Sequence, residues 1–81
     1  MNGVSNNGFR WIKTDIILDF DIPRTLANTI QEIEQADSNN DMVEYNILSD
    51  TIDVICKTYC TNRVITKKQW ELVCEKFPYV R

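Results

Sequence analysis

The sequence predicts an all-α, single-domain three-helix bundle behind an N-terminal arm that is extended or a short helix. Three observations carry that expectation. Over 42–62, Tyr45, Leu48, Ile52, Ile55 and Tyr59 recur at steps of three and four, the spacing of one stripe on an α-helix. Flanking stretches carry stripes of their own, Leu26, Ile30 and Ile33 before it and Trp70, Val73, Cys74 and Phe77 after it. Polar clusters at 37–41 and 60–63, suited to turns, separate the three. With 81 residues there is room for one domain. A chain of that size buries only about 60% of its unfolded surface, so every large apolar side chain counts.

Taken in order, residues 1–9 read as a flexible N-terminus and 10–81 as the helical domain. The first eight hold three asparagines and both glycines and show no apolar pattern. In the arm, Ile12, Thr14, Ile16, Leu18 and Phe20 follow a two-residue period, while Ile12 and Ile16, or Ile16 and Phe20, are also four apart. Trp11, Ile16, Leu18 and Phe20 are expected to lie across the bundle. An extended arm also offers a route to a homodimer by exchange between protomers.

The first helix is expected near 23–38, with Asp21 as its N-cap and Pro23 in the first turn, where a missing N–H costs nothing. The second runs near 42–61, capped by Asp41 and closed by Asn62 in a left-handed conformation. The short connection makes the two an antiparallel hairpin. The third is expected near 67–77: Thr66 and Gln69 have capping-box spacing, Ile65 and Trp70 form the staple, and Pro78 stops the helix. The predicted core is Leu26, Ile30, Ile33, Tyr45, Leu48, Ile52, Ile55, Tyr59, Trp70, Val73 and Phe77.

The totals, 43% hydrophobic and 26% charged residues, are those of a folded globular chain. The longest uncharged apolar run, Ile16-Ile17-Leu18, is far short of a membrane span, and the N-terminus lacks the pattern of a secretory signal. A cytoplasmic protein with no membrane partner is the expectation. The net charge of −3 is split: residues 1–55 hold three bases and ten acids, a balance of −7, and residues 56–81 hold six bases and two acids, a balance of +4. Such a dipole either orients a partner or reflects complementary elements of one bundle.

Motifs for chemistry are few. Cys56, Cys60 and Cys74 form an odd set with no histidine beside them, so they read as reduced, small apolar residues and not as zinc ligands. Asp37-Ser38-Asn39-Asn40-Asp41 opens like a calcium loop, but Met42 stands where glycine is needed and Leu48 where a bidentate glutamate should close the site. Asp50 with Asp53, and Glu32 with Glu34, read as solvated charge. There is no nucleophile–base pair and no glycine-rich phosphate loop. The expectation is a protein that is not an enzyme and uses no cofactor or metal.

Two binding readings remain. One is a protein partner, such as a nucleic-acid-binding enzyme, met by an acidic row of Glu34, Asp37, Asp41 and Glu44 at the hairpin tip, with Tyr79 or Trp11 as an aromatic anchor. The alternative is a small DNA-binding transcriptional regulator using Arg63, Lys67 and Lys68 at the start of the last helix. The acidic total opposes it, since DNA-binding domains carry a strongly basic footprint.

Trp11, the run Asp19-Phe20-Asp21-Ile22-Pro23, Thr25-Leu26, Tyr45 with Asp50, and Lys68-Gln69-Trp70-Glu71 together resemble a group of small helical proteins encoded on phages and integrative mobile elements of Gram-positive bacteria. The likeness covers about residues 10–78 and consists of helix caps and core aromatics. It assigns no residue a function. It implies a setting, that of a cytoplasmic accessory protein of a mobile element, in which small acidic proteins often bind and inhibit a host defence enzyme, anti-CRISPR proteins being one class.

Overall fold

The computed structural model describes residues 9–80 and contains three helices, α1 (Arg24–Ser38), α2 (Met42–Thr61) and α3 (Lys67–Lys76). The expectations for residues 1–8 lie outside the described residues. Helix α2 is the central element, packed by α1 on one side and α3 on another. Leu26, Ile33, Ala36, Tyr45, Leu48, Ile52, Cys56, Ile65, Val73 and Phe77 are buried between them. Each fully buried side chain of Val, Leu, Ile or Phe size contributes on the order of 1.5–3 kcal/mol. Ile30, Ile55, Tyr59 and Trp70, expected in the core, are half-buried around it.

The helix ends follow local chemistry, with two corrections. Asp21 does not cap α1. Pro23 occupies the N-cap position without a side-chain bond, and its carbonyl accepts the amide of Ala27 at 2.9 Å. Nor is Asn62 the left-handed residue after α2, since its φ is −88°. That conformation falls one residue later on Arg63, at φ 63°, where the Arg63 and Val64 amides donate to Cys60 and Tyr59. Helix α1 ends in the same way on Asn40, φ 59°, with the Asn40 and Asp41 amides donating to Asp37 and Ala36. These paired bonds satisfy carbonyls that a helix end would otherwise leave open. Asp41 caps α2 by accepting the Glu44 amide at 3.1 Å. Thr66 and Gln69 make both bonds of the capping box at the start of α3, at 3.0 and 2.8 Å.

The arm folds back on its own bundle as irregular chain, with a turn closed by Ile16 N–H on Lys13 C=O. Ile12 is its buried residue, while Phe9, Trp11, Leu18 and Phe20 are half-buried against the core. Phe9, assigned from sequence to the flexible end, is thus part of the packed chain. Two anchors hold the arm. Asp37 accepts the amides of Arg10, Trp11 and Ile12 at 2.6, 3.0 and 2.9 Å. At the other end Lys76 donates its ammonium to the carbonyls of Lys13 and Ile16, and its own carbonyl accepts the Lys13 amide.

Candidate protein-binding surface

The acidic row expected at the hairpin tip does not exist as a row. Asp37 is fully buried, because three arm amides need an acceptor and its two oxygens supply one. It is a structural clasp and is withdrawn from the contact residues. Glu34 is half-buried and borders a hollow shared with Ile16, Leu18, Ile22, Ile30 and Lys76, away from the tip. Asp41 and Glu44 stay exposed and border a different hollow together with Glu32. Of the two proposed anchors, Trp11 is half-buried and lies against the Tyr45 ring, centroids 5.1 Å apart, so only Tyr79 stands free, 63% exposed.

A surface that the sequence reading passed over lies on the far side of α2. Val43, Ile47 and Val54 are 70%, 56% and 58% exposed and fall at +4 and +7, one row on a helix whose buried stripe is elsewhere. Asp50 completes the row. Tyr79 is brought beside it by the C-terminal segment. There the Asn46 side-chain amide grips Val80 at both backbone groups, at 2.7 and 2.8 Å, and the buried Ser49 hydroxyl donates to the Phe77 carbonyl at 2.8 Å. The result is a hollow of about 520 Å³ lined by Val43, Asn46, Ile47, Asp50 and Tyr79. A second, of about 240 Å³, continues past Tyr79 and is lined by Asp50, Asp53, Cys74 and Phe77 among others. The Asp50–Asp53 pair, read from sequence as solvated charge, therefore borders a groove. The signal was available: Val43, Ile47 and Val54 make a second apolar row on a helix that already has one.

The chain matches no protein-family model, no curated protein and no solved structure.

Cys56, Cys60 and Cys74 are free thiols. Burial, followed by the nearby Asp53 carboxylate, pushes the Cys56 thiol up to about 11. Burial, with a hydrogen bond to Asp53 next, pushes Cys74 up to about 12. Both resist forming the nucleophilic thiolate. Among the described residues, no group of three or more His, Cys, Asp or Glu is placed to hold a metal ion, and no helix is long and apolar enough to cross a membrane. Arg63, Lys67 and Lys68 are all exposed around the start of α3. Lys68 shares its hollow with Glu71 and Glu75, which dilutes the positive charge there.

Proposed function

We propose that this protein is a non-enzymatic binding protein that acts by covering part of another protein with the outer face of α2. One observation carries the reading. Val43 and Ile47 of α2 and Tyr79 of the C-terminal segment are exposed around one groove, and Val54 stands exposed two turns beyond Ile47 on the same row. Exposed apolar patches of this kind mark interaction sites more often than scattered surface residues do. An aromatic at the rim suits a contact anchor. On the resemblance noted above, the setting is a cytoplasmic accessory protein of a phage or mobile element, and the role is inhibition of a host defence enzyme by surface occupation.

The test is a Val43→Gln/Ile47→Gln/Val54→Gln variant. All three positions are exposed, so the variant keeps its thermal stability within a few degrees. It loses the protein that the parent chain retains by affinity capture from host cells. Equal capture by parent and variant rejects the reading.

A second reading keeps DNA as partner through Arg63, Lys67 and Lys68, favoured by their common exposure at one end of the bundle. It requires a salt-dependent mobility shift with duplex DNA that Lys67→Glu/Lys68→Glu abolishes.

A further inference from the structure

The hollow on the outer face of α2 and the one on its flank toward α3 meet at Asp50 and Tyr79, which border both. The groove is therefore divided by chemistry, with Val43 and Ile47 at one end and the Asp50 and Asp53 carboxylates at the other. We propose that it takes an amphipathic helix of a partner protein that carries arginine or lysine along one flank of its apolar stripe. The apolar side chains seat against Val43, Ile47 and Tyr79, and a cationic side chain sits at Asp50 and Asp53. This rests on the reading of the α2 face as a docking surface and adds the form and charge of what docks.

Length selects the form. From Val43 to Val54 the row runs eleven residues, about 16 Å at 1.5 Å per residue. That is three turns, the reach of a helix whose anchors recur at i, i+4, i+7 and i+11.

Charge selects the occupant. Helix α2 carries Glu44, Asp50 and Asp53 against a single base, Lys57. A second copy of this chain seated here would set one acidic helix against another, and like charges across an interface oppose docking. A basic helix instead neutralises them. Asp53 is also held in position. Its Oδ1 accepts the Trp70 indole N–H at 2.8 Å and the Cys74 thiol at 3.3 Å, both from α3. A partner cation thus meets a carboxylate already ordered, which lowers the entropy lost on binding.

The experiment titrates the isotope-labelled full chain with two synthetic helical peptides. Both carry leucine at i, i+4, i+7 and i+11; one has arginine at the flanking positions and the other glutamate. The arginine peptide is expected to shift the amides of Val43, Ile47, Asp50, Val54 and Tyr79, and Asp50→Lys to weaken it at least tenfold. Raised salt weakens it further. Equal binding of the glutamate peptide to the same amides overturns the charge selection and leaves the docking face standing. Shifts confined to other surfaces, or no shift with either peptide, overturn the proposed occupant. In that case, unchanged capture by the triple glutamine variant removes the docking face as well. Dimerisation of the free chain through this face, read by sedimentation, also overturns the proposal.

Discussion

The Oδ2 of Asp37 accepts the backbone N–H of Ile12 at 2.9 Å, joining the last turn of α1 to an arm residue twenty-five positions earlier. The neighbouring amides of Arg10 and Trp11 share the same carboxylate, so three successive arm donors end on one fully buried side chain. A buried carboxylate is costly unless its oxygens are satisfied, and here backbone donors satisfy them. Asp37→Asn keeps the shape but sets an amide NH₂ against at least one N–H. It should cost about 2–4 kcal/mol, from charge-assisted bonds lost and a buried donor left unpaired. Urea unfolding measures this. A loss below about 0.5 kcal/mol would mean that the arm is not held at this point.

Tyr45 supplies the opposite case. Its hydroxyl is buried and has no hydrogen-bond partner, so Tyr45→Phe should be neutral or stabilising by roughly 1 kcal/mol. Burial first, and the Asp37 charge second, push the phenol far above its ordinary value of 10.0.

A dependence on alkaline pH follows from Tyr45 and two thiols. Cys56 and Cys74 rise from an ordinary 9.0 to about 11 and about 12. In each case the folded chain holds a proton that the unfolded chain releases, so the stability these groups contribute is fully present below pH 9. It is lost as pH rises through the folded values. Thermal midpoints should hold steady up to about pH 9 and then fall. Cys74→Ala with Tyr45→Phe should make that fall shallower.

Arg63 adopts a left-handed conformation that suits glycine, and a side chain there is strained by about 1–2 kcal/mol. Arg63→Gly should gain about 0.5–1 kcal/mol after the added flexibility of the unfolded chain is deducted. Arg63→Val should lose stability. Asn40, with nearly the same φ of 59°, belongs to a residue type that tolerates this region, so Asn40→Gly should change little.

Asn46 and Val80 exchange two hydrogen bonds, and that pair places Tyr79 beside the α2 groove. Asn46→Ala should cost about 1–2 kcal/mol. It should also strip the Val80 amide of its protection from hydrogen exchange and weaken any partner that uses Tyr79. Protection that survives the change would show another restraint on the segment.

The three helices were legible because their signals are local. Stripes of apolar residues, the Thr66–Gln69 box and the Asp41 cap each lie within a turn or two of what they specify. Asp37 was not legible. In sequence it is one more acid in a polar turn, and the amides that claim it lie 25 to 27 residues away. Arg63 was missed by one position, since Asn62 is the better left-handed residue by type and the bonding register decided otherwise. The α2 groove was only half legible. Val43, Ile47 and Val54 are visible as a row, but Tyr79 joins them through Asn46 and Val80, across 34 residues of chain.

A photo-reactive amino acid placed in turn at Ile47 and at Lys68, in the full chain expressed in living cells, separates the two ends of the molecule directly. The account predicts a single dominant protein adduct from position 47 and none from position 68. Adducts from position 68 alone, to protein or to DNA, would contradict it.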